Sequence, residues 1–316
     1  MKFNLFEYLI LLIVVLVTAF VITPLFTKIA RKFKILDYPG GRKLQANPVA
    51  YLGGLAIITP ITLGSLLLLF TSLSLDLKQQ LYLGLILPGI AIALIGLLDD
   101  IYQLPPWPRF LSQSAVGVIT SFMLYISGAG VEVFDNQLLN SLATILWVVT
   151  IINALNFIDN MDGLATSISI VASLAMFILA YLNNQYLVAA LSLAIFASCL
   201  GFLFWNKRPA SIYLGDAGAL YLGFLLAAIS IRIDLDNESA SIRVLVLILI
   251  LAIPVIDIIQ VVISRLTRGK SPFEGGRDHI SHLLLNRGLS QKAVLFILTF
   301  IAILFALVAI LLAEVI

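Results

Sequence analysis

The sequence predicts an all-α integral membrane protein with about ten transmembrane helices. Of its 316 residues, 61% are hydrophobic and only 11% are charged, whereas soluble domains carry about a quarter charged residues. The first apolar segment, 5–30, exceeds the roughly 20 residues that a span needs. It has no small-residue cleavage site, so we interpret it as a retained helix. The net charge of +2, without a basic-aromatic patch, argues against nucleic-acid binding.

Hydropathy divides the chain into apolar stretches separated by short breaks. The predicted spans are 5–30, 49–70, 81–98, 110–128, 138–157, 164–182, 186–204, 217–233, 242–264 and 291–314. The sequence has no evident internal repeat or linker, so residues 1–316 are expected to form a single domain.

The basic residues predict the orientation of these spans. Of the 19 Lys and Arg residues, 15 lie in or beside alternate breaks. The other four are Lys2, Lys78, Arg232 and Arg243. Those breaks are 31–48, 99–109, 158–163, 205–216 and 265–290. Because cytoplasmic loops are enriched in Lys and Arg, we expect the N-terminus outside and these five breaks in the cytoplasm. The same breaks hold most of the polar residues, which predicts an active site on the cytoplasmic face.

Two adjacent carboxylates, Asp99 and Asp100, end the third span. Neighbouring acids repel, so at a membrane edge they need a cation or a basic partner, and one of them can hold a proton. An interfacial anchor at a helix end is the alternative.

The densest polar run follows the fifth span. Asn153, Asn156 and Asp159 recur three residues apart and therefore share a helix face, and Asp162 follows them before Gly163. Such a face suits a nucleobase, a sugar or a hydrated cation, although it would also serve as polar contact between helices.

Asp216 lies between Gly215 and Gly218 at the start of the eighth span. Glycines beside an acid predict the close approach of a ligand, and magnesium prefers one or two carboxylates completed by water and phosphate oxygens. A plain helix cap is the alternative.

Both histidines, His279 and His282, lie in the last break beside Arg277. Zinc would need a third soft ligand nearby in sequence. Because Arg265, Arg268 and Lys270 are also close, the histidines are better interpreted as phosphate ligands.

In this order, Asp-Asp, Asn-x-x-Asn-x-x-Asp-x-x-Asp-Gly, Gly-Asp-x-Gly and the late basic His loop resemble the polyprenyl-phosphate N-acetylhexosamine-1-phosphate transferase family over the whole chain. The Arg277–His282 stretch resembles the branch that uses UDP-N-acetylglucosamine. It is less similar to the phospho-N-acetylmuramoyl-pentapeptide branch, which carries consecutive histidines there.

The resemblance implies transfer of a sugar phosphate from a UDP-N-acetylhexosamine to a polyprenyl phosphate such as undecaprenyl phosphate, with release of UMP. It implies that the protein lies in a bacterial or archaeal plasma membrane and uses magnesium (or manganese) as its cofactor. It also allows the protein to form a homodimer. Roles are implied for catalysis (Asp99, Asp100, Asp159, Asp162, His279), for substrate binding (Arg42, Lys43, Asn153, Asn156, Tyr213, Arg277, His282) and for the metal (Asp216, Asp99).

The chain departs from the family pattern at three positions. Gln45 replaces a histidine of the first cytoplasmic loop, Arg109 replaces the lysine that usually follows the Asp pair, and Ser281 stands where many relatives carry histidine. A secondary transporter is the alternative from another functional class, but transporters hold their polar groups near the midplane and often show internal repeats.

Overall fold

The computed structural model describes residues 4–39, 47–69, 82–102, 104–126, 133–235, 239–271 and 276–315. Within these ranges the chain forms twelve α-helices and a π-helical turn, Tyr82–Ile86. The helices are α1 (Leu5–Lys32), α2 (Gly53–Leu69), α3 (Leu87–Tyr102), α4 (Pro106–Ile126), α5 (Gln137–Ile158), α6 (Leu164–Leu182), α7 (Tyr186–Asn206), α8 (Gly215–Ile231), α9 (Ala240–Ile250), α10 (Ala252–Leu266), α11 (Ile280–Asn286) and α12 (Gln291–Val315).

The helical membrane architecture is confirmed. Among the described residues, six helices are long and apolar enough to cross a membrane: α1, α3 extended by the π-helical turn back to Gly84, α5, α6, α7 and α12. The predicted ninth span is broken: α9 and α10 meet at Leu251 with a bend of 81°, and counting this pair as one span gives seven. The helices α2 and α8 are shorter apolar helices. The count of ten, the outside N-terminus and the single domain stay predictions.

The outermost helices keep apolar side chains on their uncovered faces. In α1 the buried residues Tyr8, Leu11, Val15 and Ala19 recur every three or four positions, which is the spacing of one helix face. The opposite face carries exposed apolar residues such as Val21, which is 63% exposed. Because hydrocarbon is the solvent that suits such a face, we assign it to lipid.

Helix α8 forms the centre of the bundle. It packs against α2, α3, α5, α6 and α7, and every residue from Gly215 to Ile231 is buried except Asp216. Close packing at one end requires glycine, because a Cβ on Gly96 of α3 would lie 2.6 Å from Ala217. The one carboxylate of α8 therefore stands at the rim of the most buried helix.

A small ribbon holds the segment that leads into α8. Strand β1 (Leu36–Asp37) pairs antiparallel with β2 (Val49–Ala50), and Ala50 also bridges to Ile212. The buried Asn206 at the end of α7 donates its side-chain amide to the Ile212 carbonyl oxygen (3.0 Å) and accepts from Thr166 (2.9 Å). These bonds fix the 207–214 segment before α8 begins.

Candidate active site

Asp216 lies in the first turn of α8, and Asp100 caps that helix. The Asp100 carboxylate accepts the backbone N–H groups of Asp216 (2.7 Å) and Ala217 (3.1 Å), which are among the donors that a helix start leaves unsatisfied. Gly215 has φ +72°, and a Cβ there would lie 2.7 Å from the Asp100 carboxylate. Only glycine both adopts this backbone and leaves room for the cap.

This geometry corrects one sequence interpretation. The glycines beside Asp216 were expected to admit a ligand. Instead, Gly215 admits the Asp100 carboxylate, and Gly218 admits Leu214 and the backbone of α2 at Gly54. The close approach is therefore made by the protein itself.

Arg109 joins the carboxylates of Asp99 and Asp216. Its Nη1 lies 2.7 Å from Asp99 Oδ2 and 3.2 Å from Asp216 Oδ2. Asp99 also accepts the Leu104 backbone N–H (2.7 Å), and the Asn156 side-chain amide donates to Asp216 Oδ1 (2.6 Å). The Asp216 side chain remains 30% exposed, so the group stays accessible from outside the bundle.

Asp159 and Asp162 complete an acidic cluster, defined here as Asp99, Asp100, Asp159, Asp162 and Asp216. Asp159 is the C-cap of α5. Burial, followed by the charges of Asp216 and Asp162, raises the pKa of Asp159 to about 8, and a hydrogen bond from the Gly215 backbone offsets part of this rise. Asp162 accepts the backbone N–H of Ala210 (3.2 Å). The cluster thus crowds negative charge in a partly dry place, where a cation would be stabilised.

Tyr213 lies next to this cluster. Beside it lies Tyr51, which is not among the candidate residues of the sequence analysis. Their rings meet edge to face with centroids 6.0 Å apart. Backbone hydrogen bonds hold both tyrosines, since the Tyr213 N–H donates to Ala50 and the Tyr213 carbonyl oxygen accepts from Gly53. Burial, and then the nearby Asp162, raises the pKa of Tyr213 above its usual range, so the phenol stays neutral.

The two histidines belong to a second group, the histidine turn, defined here as residues 276–282. His279 Nδ1 lies 2.8 Å from Asp257 Oδ2, and Asp257 Oδ1 accepts the Ile280 backbone N–H at 2.8 Å. Asp257 of α10 is therefore paired with this turn.

The neighbouring Asp278 is bound by arginines of α10 and the turn after it. Arg265 Nε and Nη2 donate to its two carboxylate oxygens at 2.9 and 3.0 Å, and Arg268 adds a contact at 3.1 Å. Burial alone would raise the pKa of Asp278, but the hydrogen bonds and charge of Arg265 outweigh it and hold that pKa below its usual range.

The His279 and His282 rings lie with their centroids 6.0 Å apart. His282 is half-buried, and burial, followed by the positive charges of His279 and Arg277, lowers its pKa. Arg277 is exposed. The two rings therefore lie side by side in the turn, near the exposed Arg277.

Two contacts join the histidine turn to the end of α5, which carries Asp159, and a third joins Arg265 of α10 to the same place. The Ser281 hydroxyl donates to Asn160 Oδ1 at 2.6 Å. The Phe157 ring lies 5.7 Å from the His279 ring and 5.3 Å from the Arg265 guanidinium carbon. The histidine turn is thus held beside the α5–α6 connection, which carries Asp159 and Asp162 of the acidic cluster.

Not every predicted site residue joins these contacts. The Asn153 amide donates to the Val149 carbonyl oxygen of its own helix (2.7 Å), so Asn156 reaches Asp216 but Asn153 does not. Arg42 and Lys43 lie outside the described residues. Asn160, like Tyr51, was not singled out from the sequence, because a single amide or phenol carries no pattern of its own.

A bundle of apolar helices with an acidic cluster beside the histidine turn defines a class of helical, polytopic membrane protein with a polar site. Residues 82–234 match the family model described as glycosyl transferase family 4. The chain is 30% identical over 311 residues to the probable undecaprenyl-phosphate N-acetylglucosaminyl 1-phosphate transferase of Bacillus subtilis, covering 96% of this chain and 84% of that protein. The chain belongs to glycosyl transferase family 4.

Other relatives carry similar names. The chain is 27% identical over 313 residues to the undecaprenyl-phosphate alpha-N-acetylglucosaminyl 1-phosphate transferase of Escherichia coli K12 (94% of this chain, 82% of that protein). It is 30% identical over 306 residues to the decaprenyl-phosphate N-acetylglucosaminephosphotransferase of Mycolicibacterium smegmatis (87% and 75%). The resemblance drawn from the motifs is confirmed.

Proposed function

We propose that this protein transfers N-acetylglucosamine-1-phosphate from UDP-N-acetylglucosamine to a polyprenyl phosphate such as undecaprenyl phosphate. An oxygen of the lipid phosphate attacks the β-phosphorus of the donor, the bond from that phosphorus to the bridging oxygen breaks, and UMP leaves. The products are UMP and polyprenyl-diphospho-N-acetylglucosamine. The observation that carries the proposal is the convergence of the acidic cluster on Asp216, in a chain whose relatives are named for this transfer.

The donor nucleotide would lie between the aromatic pair and the histidine turn. Tyr213 supplies an aromatic ring beside the acidic cluster, and Tyr51 supports it. Arg277 and His282 supply N–H donors for the diphosphate, and His279 lies beside them in the same turn. Arg42, Lys43 and Asn153 are proposed as further substrate contacts on the strength of the motif resemblance alone.

The acidic cluster fits magnesium. Its donors are oxygens, and a bound cation would oppose the effects of burial and of the neighbouring acids Asp216 and Asp162, which together raise the pKa of Asp159. Within the described ranges, no group of three or more His, Cys, Asp or Glu side chains is arranged to hold a metal by itself. Magnesium nevertheless takes one or two carboxylates and completes its shell with water and phosphate oxygens. We assign Asp216 and Asp99 as the carboxylates; the bound ion would neutralise the diphosphate.

The chain's own residues would do the remaining work by positioning. Asp99 or Asp100 is proposed to accept the proton of the lipid phosphate; both carboxylates already accept hydrogen bonds, Asp99 from Leu104 and Arg109 and Asp100 from the first turn of α8. Asn156 orients the Asp216 carboxylate. Asp159 and Asp162 flank the place where the phosphates meet, and Asp162 also holds the 207–214 segment through Ala210.

The proposed setting is a bacterial plasma membrane with the N-terminus outside and the site facing the cytoplasm. This orientation follows from the distribution of Lys and Arg. It would place the site where a nucleotide sugar is available and beside the bilayer that holds the lipid acceptor.

A direct assay tests the function. Purified protein in detergent with undecaprenyl phosphate and magnesium is given UDP-N-acetylglucosamine, and UMP and the lipid product are measured. UDP-N-acetylgalactosamine, UDP-glucose and UDP-N-acetylmuramoyl-pentapeptide are tested in parallel. We expect turnover with UDP-N-acetylglucosamine above the others. A folded preparation that turns over none of these donors would refute the proposal, and preference for the pentapeptide donor would reassign the substrate.

A further inference from the structure

A buried carboxylate outside the acidic cluster faces one of the histidines. Asp257 lies in α10 and is 1% exposed. Both of its oxygens have partners in the histidine turn: Oδ2 lies 2.8 Å from His279 Nδ1, and Oδ1 accepts the Ile280 N–H at 2.8 Å. A carboxylate in an apolar helix costs several kcal/mol unless it is partnered, so these two bonds account for its presence there.

The chemistry of the pair fixes which ring nitrogen is engaged. An ionised carboxylate accepts hydrogen bonds and donates none. His279 must therefore carry a proton on Nδ1, and Nε2 is the ring nitrogen left for a ligand. The bond that one imidazole nitrogen makes sets the state and the orientation of the other.

The same carboxylate also holds the backbone that carries this ring. His279 is the N-cap of α11, and its side chain makes no capping bond of its own. Asp257 instead accepts the N–H of Ile280, the first residue of α11. Ring and backbone are thus tied to one rigid helix at two points.

We propose that Asp257 is a positioning residue, which holds the His279 ring with Nδ1 protonated so that Nε2 faces the donor sugar nucleotide as a hydrogen-bond acceptor. That Nε2 meets the donor rests on the proposed function. The orientation of the His279 ring by Asp257 does not rest on the proposed function, because it follows from the contacts alone.

Asp257→Asn separates positioning from simple support of α11. The Asn carbonyl oxygen can still accept the Ile280 N–H. Its amide then offers an N–H, rather than an acceptor, to His279 Nδ1, which favours the tautomer with the proton on Nε2. Ser281→Ala is the matched control, because it removes another tether of the same short helix, the bond to Asn160, without touching the imidazole.

The first measurement is ¹⁵N NMR of histidine-labelled protein at neutral pH. The chain has only two histidines, so a His282→Gln sample assigns both. We expect His279 Nδ1 to be protonated in the wild type and in Ser281→Ala, and unprotonated in Asp257→Asn. A wild-type spectrum with a bare His279 Nδ1 would overturn the inference, and this arm needs no substrate and no active enzyme.

The second measurement is steady-state transfer. In metal sites, mutation of a group that orients a ligand-binding histidine typically lowers affinity or activity by about 10- to 100-fold. By analogy, we expect Asp257→Asn to lower kcat/KM for UDP-N-acetylglucosamine by about that factor. Asp257→Glu, which restores the carboxylate, should recover part of the loss, and Ser281→Ala should lower kcat/KM by less than Asp257→Asn does, because it leaves His279 Nδ1 bonded to Asp257. An altered His279 spectrum with unchanged kcat/KM would refute the positioning role. A wild-type protein without any transfer would instead refute the proposed function, and the NMR result would then decide the ring geometry by itself.

Discussion

Asp216 is surrounded by groups that act on different parts of it. Asp100 binds its backbone N–H, Asn156 donates to one carboxylate oxygen, and Arg109 contacts the other. The carboxylate is therefore oriented before any ligand arrives, and its remaining exposed surface is directed at the site. Such preorganisation is what phosphoryl transfer requires from a protein, because most of the catalysis is positioning and charge stabilisation.

Replacing the Asp216 carboxylate tests its assignment as a metal ligand. Asp216→Asn keeps the size of the side chain but removes the charge that magnesium needs, so we expect magnesium-supported turnover to fall by more than about a hundredfold. Asp234→Asn is the matched control, since Asp234 is an exposed acid paired with Arg243 beyond the opposite end of α8. UMP release measures both variants, and wild-type turnover in Asp216→Asn would remove the metal role.

Arg109 supplies positive charge to the same two carboxylates that we assign to magnesium. Arg109→Ala should lower the free energy of unfolding in metal-free buffer by about 1–3 kcal/mol, because charged hydrogen bonds are lost. Added magnesium should then raise the melting temperature more than it does in wild type, and Arg109→Lys should lie between them. Thermal unfolding in detergent measures this. Equal magnesium shifts in all three proteins would show that Arg109 and the ion do not share a site.

At the scale of elements, the start of α8 depends on a residue from another helix. The N-cap position of α8, Leu214, has no side-chain capping bond, and Asp100 at the end of α3 supplies it instead. The Asp pair therefore divides into Asp99, which faces Arg109, and Asp100, which stabilises α8. Sequence alone could not separate them, because adjacent residues of one type differ only in where the helix turns them.

The capping role predicts a difference between two Asp100 variants. Asn is about as good a cap as Asp, whereas loss of a capping side chain costs about 0.5–2 kcal/mol. Asp100→Ala should therefore lower the melting temperature clearly more than Asp100→Asn. Thermal unfolding of both purified variants measures the difference, and the same loss in both would argue that charge, not capping, matters at this position.

The helices themselves were largely predictable and their interruptions were not. Each predicted span contains a helix, because long apolar runs in a membrane protein must satisfy their backbone hydrogen bonds within the segment. The bend at Leu251 lies three residues before Pro254, which has no N–H for the Ile250 carbonyl oxygen and whose ring crowds that carbonyl. Pro24 and Pro60, however, lie inside the unbroken helices α1 and α2, so a proline alone does not predict a break. Strands β1 and β2 are two residues each and depend on tertiary packing, which leaves no periodicity in the sequence.

At the scale of the whole molecule, the sequence predicted the candidate motifs, but not which of their residues contact one another. It singled out the acids around Asp216 and the histidine turn, because charged residues stand out in a chain so apolar. It did not predict that Asp257 would bind His279, or that Asn160 and Ser281 would join the turn to α5. Partners that are distant in sequence become evident only when the helices are packed.

The proposed orientation can be measured on intact cells. Cys199 is the only cysteine and is buried, so Cys199→Ala gives a background without thiols. Asp135→Cys and Arg287→Cys then place one thiol at each proposed surface, at exposed positions. A membrane-impermeant maleimide should label Asp135→Cys in intact cells and Arg287→Cys only after permeabilisation. The reverse pattern would invert the topology.

The position of α8 at the centre of the bundle has a consequence for how the chain is made. The helices that pack most extensively against α8, which are α2, α3, α5, α6 and α7, all precede it in the chain. When translation reaches Ile231, the surroundings of the buried helix have therefore already been synthesised. The acidic cluster can assemble on the nascent protein at that stage, and the histidine turn joins it only after α10, α11 and α12 have also been synthesised.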